Sequence, residues 1–472
     1  MDTVQDEAVH IEDRSDEEHE MLDRVAKKNL AQEMLSQLKF CVFDLETTGG
    51  SHQDDNIIEI GLVRVENLKI TEKKKFLIRP DKKIPDFIQK LTSIHPQDLK
   101  NAPKIEEVID EILDFMEDSI LVAHNTAFDI PFFNSVLTRL SRPPMTNKSI
   151  CTNMMTKYLI PNLMNSNLSY MSKILGIKHK KAHRALDDAM ATAELLLSYL
   201  NIFIDKNINK VNHLYYPRNR YELDRIHLKS KTATIKQLEE RLEALKSPFL
   251  VTVKGHDGVI LFALPSNNSE EDKRFIIKKI KTLDWEITTI RIFGPFIECL
   301  IHFNSFFMKL DVKMRNDIIK FLWKTHLPDL RPKNRSEEEM DALSSSNFKN
   351  QIGDFLIVNH LVPEQYLVYP IESLHKDAGL IFRYPGHQKK LLQFISSRSS
   401  RPQSNKLKKV KFHFQIKDFI DTYLLNCKEK GGQFFIFDKA LPLKNTTEFL
   451  RKFDEYLSAH PNQYNFPKEY VR

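Results

Sequence analysis

Asp44 and Glu46 stand two positions apart at the end of the apolar run Phe40-Cys41-Val42-Phe43, within Phe43-Asp44-Leu45-Glu46-Thr47-Thr48-Gly49. Side chains alternate along a strand, so the two carboxylates project from one face. Two acids so placed repel each other and lose hydration unless a cation lies between them. A hard divalent cation with oxygen ligands meets that need, and phosphate is its commonest co-ligand. By itself such a pair is common, and a solvated strand end explains it equally well.

Two later segments change the reading. Ala123-His124-Asn125-Thr126-Ala127-Phe128-Asp129 ends the apolar run Ile120-Leu121-Val122, and His183-Arg184-Ala185-Leu186-Asp187-Asp188-Ala189 opens a helical pattern. Together the chain offers the carboxylates Asp44, Glu46, Asp129 and Asp188, with His183 close to the last. An imidazole titrates near neutral pH and can take a proton from a metal-bound water. Alone, His183 reads as a surface histidine beside the basic stretch Lys178-His179-Lys180-Lys181. Carboxylate donors suit Mg²⁺ or Mn²⁺. The four cysteines (Cys41, Cys151, Cys299 and Cys427) show no paired spacing, which speaks against zinc and disulfides and fits a reducing cytoplasm.

The three segments, Asp-x-Glu with Thr-Thr-Gly, His-Asn-x-x-Phe-Asp and His-x-Ala-x-x-Asp, resemble in order and spacing the three motifs of the DEDDh group of DnaQ-like 3′–5′ exonucleases. Asp55-Asn56-Ile57-Ile58-Glu59-Ile60-Gly61 and Leu91-Thr92-Ser93-Ile94 resemble the family's second strand and the loop that follows. The resemblance covers roughly residues 36–202. It implies a ribonuclease-H-like fold and metal-dependent release of nucleoside 5′-monophosphates from 3′ ends, with a proofreading or repair context like that of the polymerase III epsilon subunit.

The resemblance also implies roles. Asp44 would bridge two ions, Mg²⁺ or Mn²⁺. Glu46 would bind the ion holding the attacking water, Asp129 the other, and Asp188 would complete the first. His183 would be the general base. Leu45 and Phe128 would wedge against terminal bases, with simple core packing as the alternative, and Thr47 would contact the 3′-terminal nucleotide. His124 and Asn125 read better as a strand-end histidine and a helix cap, and Asp187 as a solvated acid. Gly50 and the polar loop Ser51-His52-Gln53-Asp54 suggest a mobile rim. The substrate expected is DNA with single-stranded or frayed 3′ ends, in company with a polymerase or repair complex. An RNase-T-like activity on RNA ends uses the same four acids. A nucleic-acid-binding scaffold with secondary nuclease activity is the other alternative.

The elements that must position these residues follow from patterning. Strands are expected at Phe40–Leu45, Ile57–Val65, Lys74–Ile78, Ile120–Ala123 and Ser149–Thr156, with a turn at Asn67-Leu68-Lys69. Helices are expected at Pro85–Leu91, Pro103–Met116 (Pro103 in its first turn), Phe128–Leu140, Asn167–Leu175 and Ala182–Leu200. This order makes a mixed α/β five-stranded sheet with flanking helices, followed by one or more α/β or α+β units.

At 472 residues the chain is too long for one ordinary core. The division expected is an acidic lead-in over 1–35, helical from about Met21, and the exonuclease-like unit over 36–205. A linker with an amphipathic helix follows over 206–246, then a small α/β unit over 247–330 and a C-terminal region over 331–472. Tyr215 to Tyr221 and Arg331 to Asn347 read as linkers. The hairpin Phe249–Val253 and Val259–Leu264 around His256-Asp257-Gly258 resembles, more weakly, the start of a UvrC-type GIY-YIG nuclease domain. Phe249-Leu250-Val251-Thr252 and Phe262-Ala263-Leu264-Pro265 replace its signatures, which implies a non-catalytic copy. The basic segment 396–411, with Arg398, Arg401, Lys406, Lys408, Lys409 and Lys411, could bind phosphates or simply be a solvated loop. Strands at Val410–Ile416 and Phe434–Phe437 and a helix at Asp418–Leu425 complete the expectations. The net charge of +6 is weakly basic, and no apolar run approaches a bilayer span, so no membrane is expected.

Overall fold

A computed structural model describes residues 33–160, 162–206, 212–215, 222–231, 233–330, 352–376, 379–399, 414–430 and 434–461. Most of the lead-in, Tyr216 to Tyr221, Arg331 to Asn347 and residues 400–411 lie outside them.

The first sheet is built on β1 (Phe40–Thr47), whose residues are buried except for half-buried Asp44. Its alternation is visible in the packing. Cys41, Phe43 and Leu45 join one core with Ile112 and Phe133. Phe40 and Val42 join the opposite core with Ala189 and Leu196. Strand β2 (Ile57–Glu66) pairs antiparallel with β1, and β3 (Lys69–Leu77) antiparallel with β2. The turn between them places Asn67 and Leu68 at φ 52° and 58°, the paired left-handed conformation of a tight hairpin. The edge strand β3 carries Lys73, Lys74 and Lys75, which discourages further strand pairing. Strands β4 (Ile120–Ala123) and β5 (Ser149–Cys151) add in parallel, giving the order β3-β2-β1-β4-β5. This is the expected ribonuclease-H-like mixed sheet.

Helices α1 (Asp86–Thr92), α2 (Ile105–Met116), α3 (Thr126–Arg139), α4 (Thr152–Leu159), α5 (Leu168–Leu175) and α6 (Ala185–Asp205) flank it. Pro103 falls before α2 rather than in its first turn. Its carbonyl accepts from the Arg79 amide at 2.9 Å. The expected strand Ser149–Thr156 stops at Cys151, where α4 begins. The β-branched Thr152 and Thr156 are buried in that helix, and Thr156 Oγ1 donates to the Thr152 carbonyl at 2.8 Å.

Two further sheets follow. The second has the order β6-β9-β7-β8, with β6 Arg225–Lys229, β7 Phe249–Lys254, β8 Ile260–Ser266 and β9 Ile287–Ile292. The hairpin β7-β8 is antiparallel, as its turn signal indicates. The third has the order β12-β11-β10-β13, with β10 Phe355–Asn359, β11 Gln365–Pro370, β12 Leu380–Arg383 and β13 Phe434–Phe437. Phe414 and Ile416 belong to helix α7 (Phe414–Glu429) rather than to a strand.

The third sheet is tied to the first unit. Gln365 Oε1 accepts from the Met164 amide at 2.7 Å, and its Nε2 donates to the Asn162 carbonyl at 3.1 Å. On α5, Tyr170 donates its hydroxyl to the Pro363 carbonyl, and Lys173 pairs with Glu364 at 2.6 Å. Among the described residues no helix is long and apolar enough to cross a membrane.

Candidate active site

The register of β1 and β2 sets the site. Asp44 lies opposite Gly61 and Glu46 opposite Glu59, and directly opposed residues share a face. A Cβ on Gly61 would lie 2.3 Å from the backbone carbon and oxygen of Ala185. Only glycine therefore lets the start of α6 press onto the sheet. That approach brings Asp188, in the first turn of α6, to the face that carries Asp44 and Glu46. Asp129, in the first turn of α3, comes to the same place from beside β4.

The four acids form one electrostatic unit. Burial pushes the Asp44 carboxyl well above the usual range, and the charges of Asp129, Asp188, Glu46 and Glu59 push it further. Burial, then Asp188 and Glu59, raise Glu46 to about 8, with Arg184 opposing. Burial raises Asp129 to about 7 against backbone hydrogen bonds from its own amide and that of Leu45. Burial also raises Asp188, against a hydrogen bond from His179. Four acids that disfavour one another's charge, Glu46 and Asp129 buried and Asp44 and Asp188 half-buried, are a donor set short of cations. Hard divalent ions fit these oxygens. Ligand atoms of Glu46, His183 and Asp188 lie within 4.8 Å of one another, close enough for one ion.

His183 is exposed, at φ 61°, and its backbone amide donates to Asp188 Oδ2 at 3.1 Å. The main chain is thus anchored to the acid while the imidazole stays in solvent. The structure places Asp44, Asp129, Asp188 and Glu46 within electrostatic reach of one another, with His183 beside Glu46 and Asp188.

The flanking residues divide. Leu45 is buried in the apolar core behind β1. Phe128 is half-buried, with the His52 ring edge-on at 5.7 Å. Thr47 donates its hydroxyl to the Gly49 carbonyl at 2.6 Å. His124 is committed internally, Nδ1 to Thr152 Oγ1 at 3.0 Å and Nε2 to the Ser166 carbonyl at 2.8 Å, and burial lowers its pKa. Asn125 occupies the N-cap of α3 but makes no side-chain cap bond. Asp187 is half-buried. The rim loop is braced rather than loose. Asp55 accepts from Thr48 Oγ1 and the Ser51 amide, and Arg139 donates to the carbonyls of Gln53 and Asp55.

Sequence reasoning gave no role to Glu59, Arg184, Lys75, Gly61 or His179. Glu59 is fully buried and receives Arg184 Nε at 3.0 Å, Arg184 Nη2 at 2.9 Å, the Ala185 amide at 3.0 Å and Lys75 Nζ at 3.0 Å. Burial opposes its charge, but these donors outweigh it and hold its pKa below the ordinary value. A glycine inside a strand pattern was the one signal that could have disclosed the contact at Gly61. His179, read only as part of a basic stretch, has its Nε2 on Asp188 Oδ1.

Residues 41–196 match the family described as Exonuclease. Over 176 residues the chain is 37% identical to "DNA polymerase III PolC-type" of Caldanaerobacter subterraneus subsp. tengcongensis, covering 37% of this chain and 12% of that protein. Over 185 residues it is 35% identical to "3′-5′ exonuclease DinG" of Staphylococcus aureus, covering 39% of this chain and 21% of that protein. A solved structure, Exonuclease X in complex with 5′ overhanging duplex DNA, is 26% identical, covers 37% of this chain and 96% of its own, and has a TM-score of 0.30. The chain thus spans 12% and 21% of the lengths of the two curated relatives. The stretch that matches the Exonuclease family, residues 41–196, holds the three motifs, the mixed sheet and the clustered acids.

Proposed function

We propose that this chain is a metal-dependent 3′–5′ exonuclease that releases nucleoside 5′-monophosphates from DNA 3′ ends in proofreading or repair. The observation that carries this reading is the gathering of Asp44, Glu46, Asp129 and Asp188, acids from three separate elements, beside His183. Asp44, Glu46, Asp129 and Asp188 would hold two Mg²⁺ or Mn²⁺ ions, which when bound polarise the phosphate and acidify the attacking water. His183, solvent-facing and anchored through its amide, takes the proton from that water as general base. Phe128, half-buried beside His52, is the surface against which a terminal base stacks; Leu45 supports β1 from behind. Thr47 contacts the 3′-terminal nucleotide.

The division of labour along the chain belongs to the same reading. Residues 36–205 are the nuclease unit, 247–330 a small non-catalytic unit, and 331–472 a region that serves the nuclease or its polymerase or repair partner. The cytoplasm is its setting.

The test is degradation of 3′-labelled single-stranded DNA, mismatched duplex DNA and matched RNA, with Mg²⁺, Mn²⁺ or EDTA. We expect metal-dependent loss of DNA 3′ ends, fastest on unpaired termini. Degradation that persists in EDTA would end the proposal, and faster loss of RNA than DNA would replace the substrate.

A further inference from the structure

His183 and Asp188 account for the motif at the start of α6, yet a second imidazole sits closer to the acid. His179 lies in the segment between α5 and α6, outside the family pattern. Its side chain is 8% exposed, and its Nε2 bonds Asp188 Oδ1. The amide of His183 bonds the other oxygen, Oδ2, at 3.1 Å. On the far side of the His179 ring, Nδ1 faces Ser169 Oγ at 3.5 Å. One five-residue segment therefore grips both oxygens of the carboxylate.

The grip has a physical consequence. The terminal torsion of an aspartate is broad, so a carboxylate bonded at one oxygen swings freely. A donor on each oxygen fixes its plane. Carboxylates and imidazoles that bind metals are commonly fixed in this way by a second set of hydrogen bonds. Because His183 belongs to the same segment, the acid and the solvent-facing imidazole are set relative to each other by one piece of chain.

We propose that His179 is a positioning residue. By donating Nε2–H to Asp188 Oδ1 it holds that carboxylate in the orientation in which it binds a divalent cation together with Glu46. This rests on the metal-dependent reading of the site.

Two substitutions in the full chain separate donation from packing. His179→Phe keeps a ring and removes the donor; His179→Gln keeps a donor and removes the ring. Mn²⁺ binding is measured by titration calorimetry without nucleic acid. We expect His179→Phe to weaken Mn²⁺ binding by about 10–100-fold and His179→Gln to stay within about threefold of the parent. With saturating nucleic acid, the Mn²⁺ concentration for half-maximal rate should rise for His179→Phe, with a smaller change in the rate at saturating metal. Unchanged or tighter Mn²⁺ binding by His179→Phe, or a larger loss in His179→Gln than in His179→Phe, overturns the proposal. A parent protein that binds Mn²⁺ but degrades no 3′ end would instead overturn the exonuclease reading and leave this inference standing.

Discussion

Glu46 and Glu59 face each other across the β1-β2 pair, in one sheet and on one face, and their chemistry is opposite. Glu59 is sealed from solvent and surrounded by Arg184, Lys75 and the Ala185 amide, so its charge is welcome and its pKa is low. Glu46 is nearly as buried, but its neighbours include Asp188, Glu59 and Asp129, and its pKa rises to about 8. The first acid is satisfied by the protein's own cations and pins α6 to the sheet. The second leaves a deficit of positive charge. A buried acid whose partners all lie within the protein is structural; one whose partners are missing marks where a ligand belongs.

The sharpest break of this contrast is Asp44→Asn, which removes the acid that faces the charges of Asp129, Asp188, Glu46 and Glu59 together. Degradation of a DNA 3′ end should fall by about 10⁴-fold. Metal-free stability should rise, because a carboxyl whose ionisation the folded state disfavours is gone. Urea unfolding in EDTA checks the second half. A variant that loses both activity and stability would place Asp44 with Glu59 rather than against it.

Glu59→Gln is the converse. Neutralising one side of a buried, fully bonded ion cluster should cost about 3–5 kcal/mol of stability. The variant leaves Asp44, Glu46, Asp129 and Asp188 in place, so the molecules still folded should retain activity to within about tenfold. Urea midpoints and active-site titration separate the two. If activity collapses while the midpoint stays put, the structural assignment of Glu59 is wrong.

The same contrast explains what the sequence disclosed. β1 was legible because an apolar run followed by Asp-x-Glu has one reading as a strand, and the spacing His183 to Asp188 carried the third motif. The partners of Glu59 were not legible. They come from β3 and the start of α6, and nothing local in Ile57–Glu66 says that an acid there is buried or what meets it. His179 was hidden by its neighbours, since Lys178, Lys180 and Lys181 make the stretch read as solvated. In the C-terminal half, the alternation around Val410 to Ile416 suggested a strand. Yet Ile416, Phe419, Ile420 and Leu424 are all buried, a helical period that outweighs the shorter alternating one.

Gly61→Ala tests whether close approach of α6 is what makes the acids converge. Its Cβ would meet the Ala185 carbonyl at 2.3 Å, and backbone cannot yield as a side chain can. The helix start must move outward and take Asp188 with it. A displacement on the order of 1 Å should cost about 100-fold in rate. The Arg184–Glu59 pair moves too, so stability should fall by roughly 1–3 kcal/mol. Full activity in this variant would show that the site tolerates a looser seam than the register implies.

The smallest effect is a slope. For a carboxyl whose folded pKa is raised, the folded state binds more protons than the unfolded state, so stability declines as pH rises between the two values. For Glu46 that window runs from the ordinary value of 4.5 to about 8. For Glu59 the sign reverses: its stabilisation is present above 4.5 and is lost as pH falls through its lowered folded value. In EDTA, unfolding free energy should therefore decline from pH 5 to pH 8, and Glu46→Gln should remove on the order of 2 kcal/mol of that decline. Saturating Mn²⁺ should remove it as well, because a cation that binds only the folded, ionised cluster stabilises it most where protons compete least. Glu59→Gln should trim the decline only by the part that the Glu59 charge adds at Glu46, and its main effect should be to flatten the acid side of the profile. If Glu46→Gln and Glu59→Gln shift the profile on the same side, the two acids are not the opposites that their neighbours make them.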